Sequence, residues 1–374
     1  MFQPNLKGDR IYTAVLQGSP YQRGWQLGLK YGHEIVQQLR DFFWRMRFIL
    51  RKKGSLEKRL LSTVERCLPY LPNELHEEIR GIVKACHAQG YTWLSELDLQ
   101  KLIAGVDLLE AGCSFFAASN QATTNGQTIQ MRILDYNLRL GVQNYPLVKI
   151  CLPPRRSRDS IPFVSIGFLG LVGSLAGMNA AGVSISQIRG SLSDTATGEG
   201  TPMPVLMTKI LSSCRTATQA KEMIQSAVRT NAMTYAISDC SHQPGWGYIC
   251  FTAPQKFLEF EQGDNIASEL ILNQSQFYQK IPDVIYWGNR DGSANPKLFS
   301  LITSNYGFLD EETAIEIAAQ VCAHNTIMSV LYFPERHALR VAFSPGKGKT
   351  ADIRHGLNFD LVSLTGSAWL NYLN

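Results

Sequence analysis

Residues 111–135 read AGCSFFAASNQATTNGQTIQMRILD. Two runs rich in β-formers, 113–119 and 127–134, stand on either side of an Asn-Gly step at 125–126, which predicts a hairpin. A two-residue turn at that step places Cys113 opposite a residue near 138; a longer loop over 120–126 places it opposite one near 133. Arg132 and Asp135 fall within or at the edge of that range. They are three apart, so a regular strand points them to opposite faces. Both serve Cys113 only if the strand ends or bulges near Leu134.

Ahead of this stretch the chain reads as helical. SPYQRGWQLGLKYGHEIVQQLRDFFWRMRFILRKK has apolar residues at helical spacing and opens on Ser19-Pro20. LPNELHEEIRGIVKACHAQG has the same period, with Gly90 as C-cap, and TWLSELDLQKLIAGVDLLE supplies a third helix. After Gly112 the texture changes to short strands broken by Gly, Asn and Pro: 113–119, 127–134, 146–152, 162–168, 171–178 and 182–188. Two helices follow at 201–228, the second starting at Thr216-Ala-Thr218. Further strands fall at 233–239 and 246–252. A helix over about 311–323 precedes a hairpin turned at 334–337. Helices and strands in separate blocks predict an α+β fold layered around antiparallel sheets.

Composition narrows the function. The 374 residues are 45% hydrophobic and 18% charged, with a net charge of +5, and carry no nucleic-acid-binding signature. Eight cysteines spread through so long a chain do not form a disulfide framework. Cys240-Ser-His242 and Cys322-Ala-His324 lack the partners a zinc site needs, so no metal and no cofactor are expected. PGKGKT at 345–350 has Phe343 where a P-loop needs its first glycine, and Ser174 lacks the flanking glycines of a nucleophile elbow. Asn273-Gln-Ser275 is a sequon of the kind expected by chance. Residues 161–188 carry one uncharged run up to Gln187-Ile188, but its Pro, Gly and Asn predict three buried strands rather than a membrane span. Residues 45–59 hold seven basic residues and one acidic residue among Phe48, Ile49 and Leu50. Within 42–59 this predicts a solvated helix end, with weak membrane-surface contact as the alternative. MFQPNLKGDRIYTAVLQG shows no apolar h-region, so a cytoplasmic location is expected, or a secreted or lysosomal one if a precursor segment lies outside this numbering.

Cysteine is the most nucleophilic common side chain but is mostly thiol at neutral pH, so Cys113 needs a base. No histidine lies near it. Its own α-amine, with a pKa near ~8 when free, would serve. That amine exists only if the Gly112–Cys113 bond is cut, and glycine permits the strained backbone such a bond requires.

Cys113-Ser-Phe-Phe116 followed by Met131-Arg-Ile-Leu-Asp-Tyr136 resembles the start of the mature chain in N-terminal-nucleophile (Ntn) hydrolases of the acyl-coenzyme A:6-aminopenicillanate acyltransferase type, peptidase family C45. Choloylglycine hydrolase, penicillin V acylase and acid ceramidase are relatives of that family. Met131 and Ile133 stand where its pattern has Gly and Asn. Residues 18–28, 70–82, 177–186, 200–220 and 324–344 resemble further family segments in the same order.

The resemblance implies a four-layer αββα sandwich, self-cleaved between Gly112 and Cys113. The products are a helical chain, 1–112, and a chain carrying the nucleophile, 113–374, together one structural domain. Cys113 is then nucleophile and, through its amine, base. Arg132 stabilises the thiolate and steers a substrate carbonyl, and Asp135 holds the amine. For the oxyanion hole the family places Asn five residues before an Asp. Here Thr234 stands five before Asp239, and Asn231 reaches the place by a shift of register. Gln187 is a second donor, and His324, Asn325, Thr326 and Ser329 line the pocket or form a buried hydrogen-bonded core. The implied substrate is a small acyl-amide, a thioester or a lipid-like molecule. Two rival readings are a lipid-acting hydrolase of the phospholipase B-like or ceramidase-like kind and an inert relative that only binds.

Overall fold

A computed structural model describes residues 11–49, 56–107, 112–154, 157, 160–189, 197–240, 246–264, 279–289, 294–346 and 349–370. Ahead of residue 112 come strand β1 (Tyr12–Gln17) and helices α1 (Pro20–Ile49), α2 (Leu56–Cys67), α3 (Asn73–Ala88) and α4 (Glu96–Asp107). Behind it run β2 (Gly112–Asn120), β3 (Gly126–Asp135), β4 (Pro146–Leu152), β5 (Phe163–Phe168), β6 (Ala176–Asn179) and β7 (Ser184–Arg189). Helices α5 (Met203–Ser213) and α6 (Ala217–Ser226) precede β8 (Met233–Asp239), β9 (Trp246–Ala253), β10 (Lys256–Glu261) and β11 (Val284–Asn289). Helices α7 (Ala294–Ser304) and α8 (Glu311–Val321) lead to β12 (Thr326–Phe333), β13 (Ala338–Phe343) and β14 (Leu357–Asp360).

The strands form two sheets, ordered β1-β4-β5-β6-β7-β8-β9-β10 and β11-β2-β3-β12-β13-β14. Every pairing is antiparallel except β1 with β4. Helices α5 and α6 pack on the first sheet, α7 and α8 on the second, giving the expected α+β architecture of two sheets between helical layers. β2 is buried along both faces between its ends, as a strand inside such a sandwich must be.

Local sequence explains the helix ends. Ser19 and Gln22 cap α1 reciprocally, Thr216 accepts from Gln219 N at the start of α6, and Asp310 with Thr313 forms a capping box on α8. Helices α1 and α3 cross at glycines. A Cβ on Gly24 would lie 2.1 Å from the Glu78 carbonyl oxygen, and one on Gly81 would lie 2.2 Å from that of Tyr21. Below this crossing the Glu78 carboxylate accepts from Lys149 Nζ of β4 at 2.7 Å, both side chains buried. Lys149 and its neighbour Arg23 hold the Glu78 pKa below its ordinary value although burial opposes them, and Glu78 raises that of Lys149.

The structure corrects several expectations. Strand β1 joins the otherwise helical first segment to the larger sheet. The strand expected over 171–178 is only Ala176–Asn179. Gly170 and Gly173 have positive φ, and a Cβ on Gly173 would meet Pro204 at 2.6 Å, so this segment turns tightly beneath α5. The run 161–188 forms β5, β6 and β7, and no helix among the described residues is long and apolar enough to cross a membrane. Residues 50–55 of the basic stretch, the sequon at 273–275 and residues 347–348 lie outside the described residues.

Candidate active site

The β2–β3 hairpin sets the site. Its loop is the longer of the two alternatives: Asn120 pairs with Gly126, and Cys113 faces Leu134. The loop is pinned from outside, because Leu309 O accepts from Thr124 N and Ala122 O accepts from Gly307 N, each at 3.0 Å. That anchorage overrides the two-residue turn that Asn125-Gly126 alone favours.

In this register Phe115 pairs with Arg132 and Gly112 with Asp135. Cys113, Phe115, Arg132 and Leu134 therefore share the inward face, toward the other sheet. Arg132 lies diagonally beside Cys113, within reach of a long side chain. Both are fully buried. The Arg132 Nε and Nη2 atoms donate to the Gln187 carbonyl at 3.3 and 3.1 Å, while Nη1 has no hydrogen-bond partner among the described residues. Burial pushes the Arg132 pKa down; Cys113, Tyr332 and Asp135 oppose it.

Asp135 closes β3 on the opposite face. β3 ends here, one residue past Leu134, and the neighbouring strand carries an irregularity of its own: the β3–β12 ladder shifts register between Thr326 and Met328. From Gly112 to Ala118 the β2–β3 ladder is regular, so Arg132 and Asp135 do point apart. Asp135 faces the Gly112 position, where no side chain intervenes, and its Oδ1 accepts from Thr326 Oγ1 at 2.5 Å.

The oxyanion candidates separate. Thr234 shares a face of β8 with Ser238, whose hydroxyl reaches Gln130 of β3, so Thr234 faces the space between the sheets. Its Oγ1 is buried with no hydrogen-bond partner among the described residues. Asp239, the anchor of that motif, caps α6: its Oδ2 accepts from Ala217 N at 2.5 Å. Gln187 and Asn231 line a mostly apolar pocket with Phe42, Val106, Leu134, Tyr136, Met203, Met233 and Ile327 among its other walls. Cys113 is not in its wall, but Leu134, its cross-strand partner, is.

One expected pocket residue, Ser329, lies elsewhere. Ser329 pairs with Ile133, so it faces the helical layer away from Cys113, and its hydroxyl donates to Ala351 O at 2.6 Å. Asn325 accepts from Tyr136 N through its backbone carbonyl. Phe42 and Val106 were not readable as pocket walls, since their helical period marks them only as core. Among the described residues no group of three His, Cys, Asp or Glu could hold a metal.

No family model matches the chain. It is 24% identical over 344 residues to protein dcd1A of Dictyostelium discoideum, covering 84% of this chain and 74% of that protein. It is 28% identical over 252 residues to dcd1B of the same organism, covering 62% and 49%, and 26% identical over 203 residues to an uncharacterized protein of Archaeoglobus fulgidus, covering 48% and 32%. The chain thus spans about half of dcd1B and a third of the Archaeoglobus protein. Among solved structures it is similar to a Caenorhabditis elegans ortholog of N-acylethanolamine-hydrolyzing acid amidase, with a TM-score of 0.46 and 14% identity over 67% of this chain and all of that one. It is also similar to a mutant conjugated bile acid hydrolase from Clostridium perfringens, with a TM-score of 0.45 and 11% identity over 67% and 93%. Penicillin V acylase from Agrobacterium tumefaciens gives a TM-score of 0.42 and 14% identity over 62% and 83%. The layer order described above is read from the strand pairing, independently of these likenesses.

Proposed function

We propose that this chain is a self-processing Ntn amidohydrolase or acyltransferase with Cys113 as nucleophile. The observation that carries this reading is the β2–β3 register. It gives the Cys113 thiol a guanidinium on its own face and gives the Gly112–Cys113 step a carboxylate on the other. In maturation Sγ attacks the Gly112 carbonyl carbon, the C–N bond breaks, and the departing nitrogen takes the thiol proton. Water then cleaves the thioester, leaving the Gly112 carboxylate and a free Cys113 thiol and amine. In turnover the amine accepts the thiol proton, the thiolate attacks an acyl-amide or thioester, and the acyl-enzyme passes its acyl group to water or to an amine. Arg132 stabilises the thiolate, Thr234 or Asn231 donates to the oxyanion, and Gln187 supports either. The apolar pocket suits an apolar acyl group, and Phe42 and Val106 make residues 1–112 part of the enzyme after the cut.

Denaturing gel and intact mass test this. The wild type is expected to give two chains meeting at 112/113, and Cys113→Ala one chain. A wild type that stays whole, with Cys113 inert to iodoacetamide, overturns the catalytic reading in favour of a binding protein. A lipid-like substrate is a second reading. Phe42 walls the pocket, whereas Trp44, two residues on, is 60% exposed beside Arg45 and Arg47. Trp44→Ala is then expected to weaken binding to anionic phosphatidylserine vesicles; unchanged binding removes that reading.

A further inference from the structure

The regular β3 strand leaves Asp135 on the face away from the Cys113 thiol, so something must fix its carboxylate toward the backbone at residue 113. We propose that Thr326 is this positioning residue. The inference rests on the self-processing reading above.

Thr326 is fully buried at the point where β12 loses register with β3. The break, with Ile327 as the extra residue, seats Thr326 directly across from Asp135. Its backbone is fixed on both sides: Thr326 N donates to Ala323 O at 3.0 Å, and Thr326 O accepts from Ala351 N at 2.9 Å. Its hydroxyl is fixed in direction. It accepts from Ala323 N at 2.8 Å, so its single proton goes to Asp135 Oδ1 at 2.5 Å. The hydroxyl thus holds one oxygen of the carboxylate on the residue that pairs with Gly112, the cross-strand position that has no side chain. Two other titratable groups lie within electrostatic reach of Asp135. Arg132 sits across the strand. Cys322, at the end of α8, has a pKa raised by burial, so its thiol is neutral and does not compete for the carboxylate.

A carboxylate held against the new amine favours its charged form and raises its pKa. Two measurements on the full chain test the role. Thr326→Val, which keeps the shape and loses the hydroxyl, is expected to slow cleavage at 112/113 by about ten-fold or more, read by intact mass over time. Thr326→Ser is expected to restore it to within about three-fold, since the serine hydroxyl can make the same two bonds. In the cleaved fraction of the valine variant, the Cys113 α-amine is expected to titrate at lower pH than in wild type, read from the pH dependence of its labelling by acetic anhydride. A purely structural role would not move that titration. Ser344→Ala, which removes a buried hydroxyl just beyond β13, controls for general loosening and is expected to cleave normally. If the valine variant does not fold, Thr326→Ala takes its place against the same serine rescue. A folded variant lacking the hydroxyl that cleaves at the wild-type rate, or a serine variant that fails to rescue, overturns the proposal and leaves the Cys113 reading standing. A wild type that never cleaves overturns both.

Discussion

The interior holds opposite charges in two places and arranges them differently. Lys149 and Glu78 meet at 2.7 Å, each neutralising the other, and tie α3 to the larger sheet. Arg132 and Asp135 are three residues apart on one strand, but the pleat sends them to opposite faces, so the two side chains do not meet. Arg132 rests on a carbonyl oxygen and Asp135 on a hydroxyl. A pair in contact has no charge to spare and serves as a fastening. A pair divided by a strand keeps its charges apart, one on the Cys113 face of the sheet and one on the opposite face.

Substitutions at these sites and around the pocket test that contrast. The largest effect is expected for Glu78→Gln, which leaves Lys149 buried without its carboxylate and costs about 3–5 kcal/mol of stability in chemical denaturation, with Cys113 alkylation unchanged. Replacing both residues by Met is expected to recover most of that loss. The sign with pH follows from the lowered Glu78 pKa. Its stabilisation is complete above the ordinary carboxylate range and is lost as pH falls through the lowered value, so the variant loses this acid dependence. The raised Lys149 pKa extends the pair's contribution upward, to be lost only above the ordinary lysine range.

Next comes Arg132→Met, expected to slow iodoacetamide alkylation of Cys113 at pH 7 by about 100-fold, or about 2.7 kcal/mol. Arg132→Lys is not expected to restore it, because an ammonium cannot hold the Gln187 carbonyl and face the sulfur together. Thr234→Val should lower acyl-enzyme formation with a p-nitrophenyl ester by about ten-fold, or about 1.4 kcal/mol, while leaving the melting temperature in place, since its buried hydroxyl has no partner among the described residues. The smallest effect, a few-fold shift toward longer acyl esters, is expected for Phe42→Ala, which widens the pocket.

Much of this arrangement is legible in one stretch of sequence. The change of texture at Gly112 marks β2, the first strand of the hairpin, and 146–152 and 233–239 match β4 and β8 residue for residue. Hairpin periodicity limits Cys113 to a few partners. It does not choose among them, because the choice is made by Leu309, which binds the loop from almost two hundred residues away. Nor does it reveal the register shift in β12 beside Asp135, where β3 ends. Thr326 reads only as one polar residue among His324, Asn325 and Ser329; its hydroxyl matters because of a contact across 191 positions. β1 escapes for a related reason. Six residues ahead of a long helix give a weak signal, and their partner is a strand more than a hundred residues later.

That early strand bears on how the protein can be made. β1 runs along the edge of β4, whose seven residues, PLVKICL, are all buried. Without β1 the larger sheet would end in a bare, apolar edge with unmet backbone donors and acceptors and a single charge, the kind of template on which chains stack into aggregates. Residues 1–112 therefore act as an edge guard for the rest of the chain. Production of 113–374 alone is expected to give insoluble protein.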